Sequence, residues 1–181
     1  IEYIKNDEKV RKAFRLTNHA MLIQYNRFRN LESKSFDEPL KPFKEFKNES
    51  TLLEELSTNN HNNLKGGWRP FQLAFLLGMI PDICDPNNED NYREKVDLIW
   101  FPTGGGKTEA YLGALAFTVI LRRMDLPEDA GVTSIMRYTL RLLTSDQFRR
   151  CSALICALDH IRKKSILNAD LGKIPICIGL W

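Results

Sequence analysis

The chain has 181 residues, 43% hydrophobic and 27% charged, the balance of a globular protein able to bury one sizeable core, and its net charge of +3 is too small to announce a nucleic-acid partner by itself. Cys84, Cys151, Cys156 and Cys177 form no C-x-x-C pair and have no flanking histidine at zinc-ligand spacing, so neither a metal site nor a disulfide framework is suggested, and buried reduced thiols in a cytoplasmic protein are the preferred reading. The longest apolar stretches, 71–80 and 111–121, fall short of the roughly 18 to 20 residues that a membrane span needs, and no secretory leader precedes the first helix.

In chain order, Val10, Phe14, Met21, Tyr25 and Phe28 recur at mostly helical intervals between Lys and Arg, which predicts an amphipathic helix from Asp7 to about Leu31. Residues 33–50 mix two prolines, three phenylalanines and many charges without a period, so an irregular connection is expected there, with one short helix near 52–56. The polar stretch from Ser57 to Gly67 reads as a loop and a boundary. The expected organisation is therefore a helical appendage over 1–57, a flexible loop over 58–67 and the first part of an ATP-binding domain over 68–181.

Beyond the loop, helical and strand-like segments alternate, which predicts an α/β fold with an open, mostly parallel sheet flanked by helices. Pro70 opens a helix to about Gly78. Strands are expected at 96–101, 132–138 and 174–179, and helices at 109–124 and 145–164. The chain begins at Ile1 without Met and stops just inside the third expected strand, so a portion of a longer protein is expected.

Between the first expected strand and its helix stands Pro102-Thr103-Gly104-Gly105-Gly106-Lys107-Thr108. Consecutive glycines let the backbone fold tightly and turn N–H groups toward a phosphate, and the start of the following helix adds unpaired N–H groups and the positive end of its dipole. Lys107 would reach the β- and γ-phosphates of ATP, and the Thr108 hydroxyl would be the protein's ligand to Mg2+. Each such charge-assisted hydrogen bond contributes about 1.5–3 kcal/mol. The common pattern G-x-x-x-x-G-K-[ST] has Gly where this chain has Phe101, and the bland alternative is a glycine-rich turn followed by an incidental Lys. Glu109 reads as a favourable acid in a first helical turn and is assigned no catalysis.

Pro-Thr-Gly-Gly-Gly-Lys-Thr resembles motif I of superfamily 2 helicases, in which the first Gly is often replaced, and Arg69-Pro70-Phe71-Gln72 is similar to that superfamily's R-x-x-Q adenine motif, 35 positions before Lys107. A Gln carboxamide can pair with adenine N6 and N7 together, and the Arg69 guanidinium can stack on the base. The run from Arg137 to Gln147 resembles motif Ia, which implies contact with DNA phosphates through Arg137, Thr139, Arg141, Thr144 and Gln147. A capping box between Thr144 and Gln147 is the alternative there, and it does not exclude DNA contact.

Longer strings, among them Trp-Arg-Pro-Phe-Gln, Gly-Gly-Gly-Lys-Thr-Glu-Ala-Tyr-Leu-Gly and Met-Arg-Tyr-Thr-Leu-Arg-Leu-Leu-Thr, resemble the helicase-subunit family of the bacterial DISARM anti-phage systems. The resemblance implies a RecA-like first helicase domain, ATP hydrolysis coupled to movement on DNA, and a DrmB-like partner subunit. An acidic magnesium motif and a second RecA-like domain, which such motors need, do not occur before Trp181, and Asp97, Asp125 and Asp129 stand too early to serve. This chain alone is expected to hydrolyse little. The alternatives are a different phosphate-loop ATPase and a nucleotide-gated DNA-binding module without translocation.

Overall fold

A computed structural model of the chain describes residues 1–32, 67–85, 105–137 and 141–179, with the single positions 96, 98 and 100. The expected short helix at 52–56, nearly all of the expected loop, and Phe101 to Gly104 lie outside these residues.

Asp7 divides the amino-terminal helical region in two. Its backbone is extended after α1 (Glu2–Asn6), and its carboxylate accepts hydrogen bonds from the N–H groups of Lys9 and Val10, capping α2 (Glu8–Glu32). The buried stripe of α2 is Val10, Ala13, Leu16, Thr17, Ala20, Met21, Ile23 and Gln24. Its centre sets small Ala13, Thr17 and Ala20 beside the fully buried Leu16, with Val10 and Met21 of the predicted spacing toward its ends, and Thr17 satisfies its hydroxyl on the Ala13 carbonyl at 2.8 Å. Small side chains let neighbouring helices approach, and α2 packs along both of the long helices that follow.

Pro70 is the first residue of α3 (Pro70–Cys84), as predicted, and the helix runs through Pro81 beyond its expected end. Just before it, Trp68 lies against Gly113, where a Cβ would come within 2.5 Å of the indole ring, and its N–H donates to Asn18 Oδ1 at 2.6 Å. One tryptophan thus joins α2 to α4 (Lys107–Asp125). α4 buries Leu112, Ala116, Phe117 and Ile120 against the other helices, and α5 (Arg141–Lys164) contributes Leu154, Leu158 and Ile161. Each fully buried large side chain of this set contributes about 1.5–3 kcal/mol. Among the described residues no helix is long and apolar enough to cross a membrane.

The expected RecA-like α/β fold with a parallel sheet is overturned: the described residues form helices, with no strand and no sheet among them. A segment becomes a strand only when a neighbouring backbone takes its N–H and C=O groups, which β-branched composition cannot supply. In the second and third expected strands, side chains take some of those groups instead. Arg122 donates to the Val132 carbonyl at 2.7 Å and holds Asp129. Buried Arg123 donates to the carbonyls of Pro127 at 2.7 Å and Ile174 at 2.5 Å, and Asp159 accepts the N–H of Ile176 at 3.1 Å. Val96, Leu98 and Trp100, on the first expected strand, are 94%, 87% and 86% exposed, so no second layer of described residues covers them.

Candidate functional site

The described part of the glycine loop, Gly105 to Thr108, is built around the start of α4. Gly106 is the residue before the helix and adopts a left-handed conformation with φ 86°, open to glycine at no steric cost. A side chain there would also collide, because a Cβ would stand 2.7 Å from Gln72 Nε2. Lys107 and Thr108 are half-buried in the first turn. Thr103 and Gly104 lie outside the described residues.

Arg69 and Gln72 meet this loop directly. Arg69 Nη1 donates to the Gly105 carbonyl at 2.6 Å and Gln72 Nε2 donates to the Gly106 carbonyl at 2.7 Å. Gln72 Oε1 also accepts the Arg69 N–H at 2.8 Å, closing the first turn of α3. Gln72 is only 4% exposed, so in this arrangement its carboxamide serves the protein on both ends. One N–H and one lone pair remain to it for any base.

The two carbonyl contacts orient the loop. Across a planar trans peptide the C=O of one residue and the N–H of the next point in opposite directions. With the carbonyls of Gly105 and Gly106 turned toward Arg69 and Gln72, the N–H groups of Gly106 and Lys107 face away from α3. They add to the helix-start amides, which have no intrahelical acceptor, and a phosphate fits such a cradle.

An acid beside the cradle would repel a phosphate, and Glu109 is close to it: its Oε2 is 3.4 Å from where a Cβ on Gly106 would stand. The Arg150 guanidinium of α5 is paired with that carboxylate and offsets its charge. Neither local pattern nor motif pointed to this pair, whose members are 41 positions apart. The only signal in the sequence was an acid directly after the Lys-Thr of the loop.

The expected DNA-contacting residues are placed differently. Arg137 is exposed on the extended segment before α5, and Thr139 lies outside the described residues. α5 starts at Arg141, so Arg141 lies in its first turn and Thr144 is already helical, which replaces the expected capping box between Thr144 and Gln147 with a helix that begins four residues earlier. Gln147 is 7% exposed, and its Oε1 has no hydrogen-bond partner among the described residues, a burial that costs about 1–3 kcal/mol. The described residues hold no group of three or more His, Cys, Asp and Glu side chains that could bind a metal.

No family model matches the chain. Over 140 residues it is 44% identical to the DISARM protein DrmA of Bacillus paralicheniformis, a match that takes in 74% of this chain and 12% of that protein. The chain thus spans a small part of the relative's length, and identity of this order over such a stretch marks common descent of this chain and that part of a DISARM protein.

Proposed function

We propose that this chain grips the phosphates of ATP for a DNA-dependent helicase or translocase ATPase of superfamily 2 type, acting in anti-phage defence with a DrmB-like partner subunit. The observation that carries the reading is the orientation of the loop by Arg69 and Gln72, which turns the N–H groups of Gly106 and Lys107 outward at a helix start. Similarity to the DISARM protein DrmA supports the setting in defence.

In this reading the amides of Gly104, Gly105, Gly106 and Lys107 hold phosphate oxygens, the Lys107 ammonium neutralises the β- and γ-phosphates, and Thr103 flanks the loop. The Thr108 hydroxyl would hold a magnesium ion, which would supply charge neutralisation to the phosphates. Arg69 stacks on adenine from its exposed position, and Gln72 reads the base with its remaining hydrogen-bonding capacity. Arg137, Thr139, Arg141 and Thr144 face the DNA phosphates, while Gln147, being buried, supports the start of α5 from within.

The test is DNA-stimulated phosphate release by the full-length protein and by its Lys107→Ala variant. Loss of roughly a hundredfold or more in the variant is expected, the scale of removing a charge stabiliser from a phosphoryl-transfer site. Unchanged turnover in Lys107→Ala overturns the reading. Salt-sensitive DNA binding without any turnover points to the nucleotide-gated module instead.

A further inference from the structure

The Glu109–Arg150 pair joins the two helices whose starts carry the proposed phosphate grip and the proposed DNA contacts. We propose that this pair is a positioning link through which nucleotide at the loop and DNA at the start of α5 change one another's affinity. The proposal rests on the functional reading above.

Four observations carry it. Glu109 is the third residue of α4, and its carboxylate stands beside the Gly106 turn, so phosphate arriving there changes the field that the carboxylate feels and thereby its hold on Arg150. The paired side chains are only 20% and 23% exposed, so solvent and salt screen the interaction far less than they would at the surface. Arg150 belongs to a continuous helix of 24 residues, so a shift of that helix drawn by its guanidinium also moves Arg141, about 13 Å away along the axis at 1.5 Å per residue. Finally, Gln147, one turn before Arg150 on the same helix, buries an oxygen without a donor among the described residues, so this placement of α5 leaves unmet there a contact that a small shift of the helix can satisfy.

Coupling of this kind is reciprocal: whatever factor DNA applies to nucleotide affinity, nucleotide applies to DNA affinity. A pair that only neutralises Glu109 or only holds two helices together predicts no such dependence.

The experiment measures the Kd of a fluorescent ATP analogue for the full-length protein with and without duplex DNA. The ratio of the two values is read for wild type, Glu109→Gln, Arg150→Gln, the double variant and Arg150→Lys. Wild type is expected to show a ratio within about 5- to 150-fold, the usual range for coupled sites. Each Gln variant should bring the ratio to near one; nucleotide affinity without DNA stays within about threefold of wild type in Glu109→Gln and the double variant, and falls in Arg150→Gln, which leaves the Glu109 charge beside the cradle. The double variant should match the singles in that ratio, since both remove one link, and Arg150→Lys should retain part of the ratio. Wild-type ratios in Glu109→Gln and Arg150→Gln overturn the proposal, as does a loss of thermal stability with the ratio intact. Should Arg150→Gln fail to fold, Glu109→Gln decides alone. A wild-type protein that binds no nucleotide sinks the phosphate-grip reading itself, whereas binding and coupling that ignore the pair sink only the link.

Discussion

Two glycine turns of this chain share their local chemistry and differ in what faces them. Gly106 and Gly172 both have positive φ, 86° and 76°, and in both turns an arginine grips the local carbonyls: Arg69 on Gly105, and Arg162 on Gly172 and Lys173. A Cβ on Gly106 would meet the tip of the Gln72 side chain, which can shift at the cost of its hydrogen bond to the Gly106 carbonyl. A Cβ on Gly172 would come within 1.7 Å of the Pro127 backbone carbonyl, which cannot. The first turn precedes a long helix, and its carbonyls, not its amides, are turned toward Arg69 and Gln72. The second lies under a backbone crossing and serves only to close the fold. The same glycine and arginine chemistry thus makes an adaptable site when its neighbour is a side chain, and a rigid staple when its neighbour is main chain.

The sharpest way to break this comparison is Gly172→Ala. The added methyl must displace main chain as well as bear a left-handed backbone, so a loss of about 4 kcal/mol is expected, at the upper end for a single substitution. Thermal unfolding should show it as a fall of roughly 8–16 °C in Tm for a chain of this size. An unchanged Tm would mean that the crossing is not close.

Arg123→Met should come next. It removes the guanidinium that holds the carbonyls of Pro127 and Ile174 on either side of that crossing, and about 2–3 kcal/mol is expected by chemical denaturation. Gly106→Ala should cost less stability, about 1–2 kcal/mol of backbone strain, yet weaken ATP-analogue binding about tenfold or more. A variant with normal nucleotide affinity would remove the distinction between site and staple.

The smallest effect is that of acid on the staple. Burial pushes the Asp159 carboxyl up, but hydrogen bonds from Arg162, Lys163 and the Ile176 N–H outweigh it and leave the pKa at about 2. A folded-state pKa below the unfolded one gives stability that is complete above pH about 4 and lost as pH falls toward about 2. Asp159→Asn should flatten that limb of a stability-against-pH curve without changing nucleotide affinity.

Much of the helical frame was legible from residue order. Pro70 fixes φ and lacks an N–H, so it marks the start of α3, and the helical spacing of Val10, Phe14 and Met21 marks α2. The three-glycine run and Lys107 likewise marked a turn at a helix start, and Gly106 stands there in the conformation that glycine permits. The sheet was misread because residues 132–137 and 175–179 have strand-like composition, and composition says nothing about which group will take a carbonyl. Here the takers are Arg122 and Arg123 on α4 and, through the neighbouring Lys173 carbonyl, Arg162 on α5. The contact of Arg69 and Gln72 with the loop was likewise hidden, although both residues had been singled out for adenine.

What residue order determined by itself is therefore whatever one turn of chain can decide: where helices start, where only glycine fits, and where an ammonium group follows a turn. Tertiary structure alone decided the partners, from Gln72 on Gly106 to Arg150 on Glu109 and Arg123 on Ile174. Helix hydrogen bonds and φ preferences act over a few residues, whereas a buried polar group takes whichever partner the packing of distant helices brings within 3 Å or so.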